Sequence, residues 1–206
     1  MKKVLIFPCN GNAIEALSCM PADREVIGFV DDTSEKQGTA VFGIPVYSRD
    51  AFRNFPDAEV LAVPGSPTSF MNRAVLIQSL GLEAKRYAQI IHPRASVSPL
   101  ASIGTNVLIM SGAVLTANCK IGDHVCLLPN TVIHHDSSVG DYTLIGSNVT
   151  VAGYVSIGAN CYIGSGSSII NGIEVGERVL IGMGSNVIRS VQSDSKMVGN
   201  PARALK

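Results

Sequence analysis

The spacing of apolar positions divides the chain into two parts. From Val97 to Val187 an aliphatic residue stands at every sixth position without an insertion. Four residues after each one comes a small residue, Ala, Val, Cys, Thr or Ser, with Ile173 as the exception. A helix has a period of about 3.6 residues and a strand a period of two, so neither explains a period of six. Short strands separated by turns do explain it, and a hexad repeat of this kind is typical of a parallel β-helix.

A longer period lies within the hexads. Glycine recurs every eighteen residues, at Gly104, Gly122, Gly140, Gly158 and Gly176. Three hexads therefore form one coil with three faces, and the repeat contains about five coils, or roughly 25 Å at about 4.8 Å per coil. We expect the aliphatic residues to fill the interior of this prism and the small residues to lie near its corners. Glycine is expected where the backbone turns or φ is positive.

The segment before the repeat alternates between strands and helices. Short apolar strands are predicted at Val4–Phe7, Val26–Val30 and Val60–Val63, with helices over Ala13–Met20 and Phe70–Leu80. Strands that alternate with helices predict a small parallel sheet, so this part is an α/β domain.

The boundary between the two parts is predicted near His92. A last strand of the first part is expected within Ala84–Ile91, and Pro93 then ends regular structure. The predicted domains are residues 1–91 and 92–206.

Composition narrows the classes of function. The 206 residues carry sixteen basic and sixteen acidic side chains without a run of either sign, which argues against a nucleic-acid-binding protein. The five cysteines form no CxxC pair and indicate a reducing compartment. The first apolar run ends at Pro8, too short for a signal peptide, and no stretch is long enough to insert into a membrane. We therefore expect a cytoplasmic protein.

The hexad repeat resembles the left-handed β-helix of the hexapeptide acyltransferases. The chain as a whole resembles the sugar acyltransferases of the sialic-acid O-acetyltransferase and bacillosamine N-acetyltransferase type. That resemblance implies an N-terminal Rossmann-like α/β domain followed by an all-β left-handed parallel β-helix, assembled as a homotrimer. The left hand is implied by the resemblance alone, since the usual rule for crossovers favours the opposite hand.

Three predicted strand ends could bind a ligand, because ligands of α/β sheets lie beyond the carboxyl ends of the strands. In the family the first of these loops is glycine-rich and contacts the diphosphate of a nucleotide sugar; here Gly11 and Asn12 stand there. Asp31 and Asp32 match a Gly-Phe-x-Asp-Asp stretch of the family, and Gly65 lies in the third loop. These five residues are the predicted nucleotide-sugar contacts. A degenerate loop that only packs on the β-helix is the alternative.

The resemblance also implies a catalytic pair. The sequence His134-His135-Asp136 followed by Gly140-Asp141-Tyr142 resembles the family's His-Glu or His-Asp pair, with His135 as general base and Asp136 as the carboxylate that orients it. Imidazole, with a pKa near ~6.5, can accept a proton at neutral pH, and a carboxylate beside it fixes its tautomer. The sequence departs from the family at His134, where an acidic residue is common, and at Leu144, where some members carry a second histidine. A solvated surface turn is the alternative.

The co-substrate implied by the resemblance is acetyl-CoA. Gly153 follows His135 by eighteen residues and matches a family glycine beside the acyl thioester. Ser165 and Met183 share another corner of the prism. In a trimer, that corner of one subunit can face the His135 corner of its neighbour and form a groove for the pantetheine arm.

These features predict an acetyl-CoA-dependent N-acetyltransferase that acts on the amino group of a nucleotide-linked amino sugar in bacterial surface polysaccharide or glycan biosynthesis. O-acetylation of a sugar such as sialic acid is the alternative, because an imidazole base serves a hydroxyl or an amine. A zinc enzyme resembling the hexapeptide-repeat carbonic anhydrases needs three converging histidines, and no such triplet occurs, so no metal is expected. A non-catalytic scaffold is the remaining alternative.

Overall fold

A computed structural model describes residues 1–205 as a five-stranded sheet with short helices, followed by a three-sided prism. The sheet has the order β3-β4-β2-β1-β5; β4, β2, β1 and β5 are parallel, whereas β3 and β4 form an antiparallel hairpin. Because β1 lies between β2 and β5, the loops after β1 and β5 diverge from a topological switch point. The strands are β1 Lys2–Phe7, β2 Arg24–Val30, β3 Ala40–Val41, β4 Ile44–Tyr47 and β5 Glu59–Ala62.

The helices of this domain are shorter than the sequence predicts. The predicted helix over Ala13–Met20 is α1, Gly11–Ala16, followed by a 3-10 turn, Leu17–Cys19. Asn10 caps α1 because its side chain accepts a hydrogen bond from the Ala13 N–H at 2.9 Å. The remaining helical elements are α2 Ala51–Asn54, a 3-10 turn Phe70–Asn72, α3 Arg73–Gln78 and a 3-10 turn Ala84–Arg86. None of the helices in residues 1–205 has the length and apolar character needed to cross a membrane.

The prism consists of three parallel sheets whose strands pair with the strand eighteen residues later, except that Leu180–Ile181 pairs with a strand that begins sixteen residues later. The first face contains Ser96–Val97, Val114–Leu115, Val132–Ile133, Thr150–Val151, Ser168–Ile169 and Asn186–Val187. The second contains Ser102–Ile103, Lys120–Ile121, Ser138–Val139, Ser156–Ile157 and Glu174–Val175. The third contains Ile90–Ile91, Leu108–Ile109, Cys126–Leu127, Leu144–Ile145, Tyr162–Ile163, Leu180–Ile181, Lys196–Val198 and the antiparallel Arg203–Ala204.

The predicted last strand of the first domain belongs to the prism instead. Ile90–Ile91 pairs with Leu108–Ile109, and only a single bridge joins Tyr87 to Val60 of the α/β sheet. Ile91 packs against the hydrophobic core of the prism, as the aliphatic residues of the hexads do. This strand therefore continues the hexad repeat rather than the α/β sheet. The division of the chain at residue 92 stays a prediction.

The interior of the prism confirms the hexad pattern. The aliphatic series forms one continuous buried cluster, in which Ile133 and Ile145 are fully buried. The small residues also carry polar functions. The Ser137 hydroxyl donates to the Ala152 carbonyl oxygen at 2.8 Å and accepts the Val155 N–H at 3.0 Å. Thr131, Thr143, Cys161 and Ser167 donate to the next coil in the same way. A buried hydroxyl needs such partners, and here they tie neighbouring coils together.

Glycine occurs in the coils in two different roles, as expected from its place at turns or at positive φ. The glycines spaced by eighteen residues do not need positive φ; at Gly140 a Cβ would lie 2.6 Å from the Ala159 nitrogen, so glycine there permits close stacking of the coils. The left-handed conformation occurs three residues after the aliphatic position. It is adopted by Asn and Asp, which tolerate it better than most residues, and by glycine at Gly112, Gly166, Gly172 and Gly184. His124, Tyr142, Tyr154 and Arg178 adopt it as well.

The third face of the prism differs from the other two because the α/β domain covers it. Its outward side chains, Leu108, Cys126, Leu144 and Tyr162, are buried in one cluster with residues of α1 and the sheet. The Asn106 side chain adds a polar contact: it accepts the Ala62 N–H at 2.7 Å and donates to the Ala62 carbonyl at 2.9 Å, as a neighbouring strand would. The outward positions of the first two faces are mostly Ser, Thr, Lys, Glu and Asn.

Candidate active site

The turn that carries the predicted catalytic pair joins the first face to the second. The His134 N–H donates to the Val151 carbonyl at 2.9 Å, and the Asp136 N–H donates to the Ala117 carbonyl at 3.1 Å. The Tyr154 N–H donates to the His135 carbonyl at 3.1 Å. The turn is therefore fixed by hydrogen bonds to both neighbouring coils.

The structure brings His135 and Asp136 together. The His135 Nδ1 lies 2.9 Å from the Asp136 Oδ2, and 51 % of the His135 side chain is exposed. An ionised carboxylate can only accept, so a neutral imidazole in this contact carries its proton on Nδ1. The lone pair then lies on Nε2, the atom available to take a proton from a substrate.

Asn118 was not among the predicted site residues, yet it holds the carboxylate of the pair. Its Nδ2 donates to the Asp136 Oδ1 at 2.6 Å. The hydrogen bond from Asn118, followed by the one from His135, holds the pKa of the Asp136 carboxyl below its usual range. Asn118 precedes Asp136 by eighteen residues, so the period of the coil would have identified it as the residue stacked next to Asp136.

Gly153 lies against the imidazole ring, as expected from its position one coil after His135. A Cβ at Gly153 would lie 2.7 Å from the His135 Cε1 and 2.8 Å from Nε2. The Tyr154 ring contacts His135 edge-on, with centroids 5.0 Å apart. Within residues 1–205 the Gly153 N–H has no acceptor. The imidazole is thus confined between two residues of the next coil, one of which offers a free N–H.

The two other predicted coenzyme contacts lie at a different corner of the same chain. Ser165 and Met183 occupy the corner between the third and first faces; the Ser165 hydroxyl accepts the Ser147 N–H at 3.1 Å, and Met183 is largely exposed. One chain therefore does not bring them to His135.

His124 has partners that the sequence did not reveal. Its Nδ1 lies 2.9 Å from the Asn106 Nδ2, and its ring stacks on Tyr142 at 4.7 Å and meets Tyr87 edge-on at 5.0 Å. Burial lowers the pKa of His124. These partners are in place because Tyr87 of the α/β domain packs on this corner of the prism.

A cleft of about 510 Å³ lies at the switch point of the sheet. Gly11, Asn12 and Gly65 line it, and Leu128, Leu144 and Tyr162 of the prism are also part of its wall. Two walls of the cleft are formed by the loops after β1 and β5. Hydrogen bonds join these loops, because the side chains of Asn10 and Asn12 both donate to the Val63 carbonyl, at 3.2 and 3.4 Å.

The two predicted aspartates do not line this cleft. Asp31 is 3 % exposed and accepts hydrogen bonds from the Cys9 N–H, the Thr33 N–H and the Lys36 Nζ, each at 2.9 Å. Burial alone would raise the pKa of Asp31, but the hydrogen bonds from Lys36 and Thr33 outweigh it and hold that pKa below its usual range. Asp31 therefore joins the loop after β1 to the loop after β2.

Asp32 is engaged by a different partner. Both of its oxygens accept from the Arg49 guanidinium at 2.7 Å, a bidentate contact in which the Asp32 side chain is half exposed. Within residues 1–205 no group of three or more His, Cys, Asp or Glu side chains is placed to hold a metal ion.

Comparison with known proteins supports the repeat and the two-part architecture. The family model described as bacterial transferase hexapeptide (six repeats) matches residues 100–135 and 118–153, and the hexapeptide repeat of succinyl-transferase matches residues 154–188. No curated protein matches the chain.

Solved structures match over the whole chain. A histidine-to-asparagine mutant of perosamine N-acetyltransferase from Caulobacter crescentus, in complex with CoA and GDP-perosamine, is 25 % identical with a TM-score of 0.87, covering 100 % of this chain and 97 % of that one. The acetyltransferase domain of PglB from Neisseria gonorrhoeae is 25 % identical with a TM-score of 0.86 and full coverage of both chains. WeeI from Acinetobacter baumannii, 23 % identical with a TM-score of 0.84 and full coverage of both chains, shares the fold. The predicted fold class, an α/β domain followed by a left-handed parallel β-helix, is confirmed.

Proposed function

We propose that this chain is a hexapeptide-repeat sugar acyltransferase that transfers the acetyl group of acetyl-CoA to the amino group of a nucleotide-linked amino sugar. The observation that carries the proposal is the similarity of both parts of the chain at once to an enzyme bound to CoA and GDP-perosamine. The reaction serves bacterial surface polysaccharide or glycan biosynthesis. Both substrates and the five unpaired cysteines are in keeping with a cytoplasmic enzyme.

His135 acts as the general base in this proposal. Its Nε2 takes a proton from the amine as the nitrogen attacks the thioester carbonyl, and Asp136 stabilises the imidazolium that forms. The tetrahedral intermediate then collapses: the C–N bond remains, the C–S bond breaks, and the proton passes from His135 to the departing thiolate, giving CoA and the N-acetylated sugar.

Gly153 supplies the donor for the oxyanion. Its N–H has no acceptor within residues 1–205, and its position against the imidazole brings it near the reacting carbonyl. Removal of one hydrogen-bond donor to the developing oxyanion lowers kcat by about 10²–10³ in another acyl-transfer enzyme.

We infer that the complete site forms between subunits of a homotrimer. In one chain the cleft adjoins the third face, whereas His135 lies on the corner between the other two faces. A neighbouring subunit can bring its Ser165 and Met183 corner to His135 and enclose the pantetheine arm between the two prisms. Light scattering of the purified protein measures the mass directly; a monomer at working concentration contradicts the shared groove.

The α/β domain, residues 1–91, is proposed to bind the nucleotide sugar, and residues 92–206 are proposed to perform acyl transfer. Gly11, Asn12 and Gly65 line the cleft and are the proposed contacts. Asp31 and Asp32 fulfil a different role in this proposal: they fix the loops beside the cleft through Lys36 and Arg49.

The test is release of free thiol from acetyl-CoA with a panel of nucleotide-linked 3-amino and 4-amino sugars. Wild type, His135→Ala and His134→Ala are compared. We expect turnover with one of the sugars, lost in His135→Ala and retained in His134→Ala. If no amino sugar is acetylated but free sialic acid or another hydroxyl acceptor is, then the proposed reaction is O-acetylation instead of N-acetylation. Full activity of His135→Ala would mean that the base lies elsewhere.

A further inference from the structure

Arg73, at the first position of α3, is a buried cation without an acidic partner. It is 1 % exposed, and its guanidinium donates to three backbone carbonyls: Tyr142 at 2.8 Å, His124 at 2.7 Å, and Pro64. Two of these acceptors belong to the prism and one to the loop after β5. Arg73 therefore holds that loop against the corner formed by His124 and Tyr142.

The positive charge of Arg73 is not neutralised by the protein. No carboxylate within residues 1–205 forms an ion pair with it. The nearby Cys126 thiol is neutral because burial raises its pKa to about 12. Burial lowers the pKa of Arg73 to about 10, so the guanidinium stays protonated at neutral pH. A buried charge without a counter-charge is costly, which makes an anionic ligand nearby a natural partner.

The Arg73 side chain lies directly behind the wall of the cleft. A Cβ on Gly65 would lie 2.9 Å from the Arg73 Cδ and 3.2 Å from Nη1, and Gly65 has a φ of +123°. Both Pro64 and Gly65 line the cleft, whereas Arg73 does not. Only glycine fits between the guanidinium and the cleft at this point.

The peptide bond between Pro64 and Gly65 separates the Arg73 guanidinium from the cleft. The peptide is trans, so its carbonyl and N–H point in opposite directions. The carbonyl accepts from Arg73, and the Gly65 N–H therefore points away from the arginine. Within residues 1–205 neither this N–H nor that of Ser66 has an acceptor. Consecutive free N–H groups are a common means of binding phosphate oxygens.

The side chains of the cleft itself supply no charge for an anion. The lining residues between 1 and 205 include neither Lys, Arg nor His. Lys36, which binds the Cys9 carbonyl at 2.7 Å beside the first loop, is already paired with Asp31. Arg73 is then the unpaired cation that faces the cleft from behind its wall.

We propose that the Pro64–Ser66 loop binds the diphosphate of the nucleotide sugar through its free N–H groups, and that Arg73 supplies the positive charge from behind the loop without touching the ligand. Arg73 is thus a positioning residue for the substrate. The inference rests on the proposed function, because it assigns a diphosphate to the cleft.

Isothermal titration with GDP, UDP and the nucleotide sugar identified in the acetyl-transfer assay tests this inference. Arg73→Met removes the charge but keeps an apolar side chain of similar length, and Arg73→Lys keeps the charge. Arg86→Met is the matched control, since the Arg86 guanidinium also donates only to backbone carbonyls, those of Ala58, Phe52 and Phe55, away from the cleft.

We expect Arg73→Met to weaken binding of the nucleoside diphosphate by about tenfold or more, and Arg73→Lys to retain affinity within about threefold. Arg86→Met should bind as wild type does, and the affinity of all variants for acetyl-CoA should stay unchanged. Thermal unfolding supplies a second measurement. Without ligand, a cooperative transition shows that Arg73→Met and Arg86→Met are folded, and the stabilisation of Arg73→Met by a fixed concentration of nucleoside diphosphate should be smaller than that of Arg86→Met, as its weaker affinity requires.

Three results would overturn the inference in different ways. Wild-type affinity for the nucleotide in a folded Arg73→Met variant would leave the proposed function intact and remove the role of Arg73. The absence of any nucleotide binding by wild type would contradict the assignment of the cleft to a nucleotide sugar, and with it this part of the proposed function. If Arg73→Lys loses as much affinity as Arg73→Met, then the shape of the guanidinium rather than its charge matters, which contradicts the electrostatic role.

Discussion

Two corners of the prism carry a histidine next to an aromatic ring, yet they differ in almost every physical respect. At the corner between the second and third faces, the α/β domain covers His124, which stacks on Tyr142 and contacts an amide. At the corner between the first and second faces, His135 is half exposed and contacts a carboxylate. The same repeat builds both turns. What distinguishes a structural histidine from a proposed base is the domain packed on one corner and absent from the other.

Replacement of each histidine by asparagine is the sharpest way to separate the two corners. His135→Asn should lower kcat by about 10³-fold, since a general base contributes about 10²–10⁴. His124→Asn should keep kcat and lower the free energy of unfolding by about 1 kcal/mol, because a stacked ring is lost from an interface. Steady-state kinetics and urea unfolding measure both effects. An equal loss of kcat in a folded His124→Asn variant would contradict the distinction.

Gly153→Ala should have the next largest effect. The added methyl group would overlap the His135 ring, which can swing away toward solvent, so stability should change little while kcat falls by about 10²-fold. The double variant with His135→Ala is the control. If the methyl group acts only by displacing the imidazole, it causes no further loss in that background. A further loss would show that the methyl group also obstructs the acyl group or shifts the Gly153 N–H, which alanine retains.

Asn118→Gly should lower kcat by about tenfold and leave both KM values unchanged, because Asp136 loses the donor that aims its second oxygen at the imidazole. Glycine accepts the left-handed conformation of this position, so the change removes the amide without straining the turn. Asn130→Gly is the matched control at another corner, where φ is also positive. A loss of kcat in both variants alike would indicate a general effect on the coils.

The smallest expected effect is a pH dependence of the free energy of unfolding that comes from His124. Its pKa is lowered in the folded state, so the unfolded chain binds a proton first as the pH falls below the ordinary value of about 6.5. The free energy of unfolding should therefore decrease between pH 6.5 and the lower folded pKa, and His124→Asn should abolish that decrease. Acid destabilisation from Asp31 and Asp136, whose pKa values are also lowered, occurs in a lower window, below about pH 4. Urea unfolding at a series of pH values distinguishes the two windows. An unchanged slope above pH 5 in His124→Asn would contradict the assignment.

Much of the prism could be predicted from the sequence, because a period of six leaves only one register for each strand. The sequence also contains a signal for the covered third face. The residue just before the interior aliphatic position is apolar on that face, whereas on the other two faces it is mostly polar. The apolar residues recur every eighteen positions: Leu108, Cys126, Leu144 and Tyr162. The same interval links Asn118 to Asp136. Both signals come from stacking between coils rather than from the motif around His135.

The partners supplied by the α/β domain could not be read in this way. Lys36 reaches Asp31 and Arg49 reaches Asp32 through loops without a periodic pattern. The Arg73 side chain on α3 donates to two backbone carbonyls of the prism. Because every residue has a backbone carbonyl, the sequence does not indicate which of them accepts from Arg73. Helix α1 ends earlier than predicted because its residues continue as a 3-10 turn packed against the third face.

The end of the prism limits how these molecules can associate. A stack of parallel strands presents open backbone groups at its last coil, and a second prism could in principle continue it as a filament. Here the chain turns back: Arg203–Ala204 runs antiparallel to Lys196–Val198, and the Asn186 N–H donates to the Gly199 carbonyl across the first face. A reversed strand offers the wrong polarity for another parallel coil, so this end of the third face gives a second prism no template on which to stack in register.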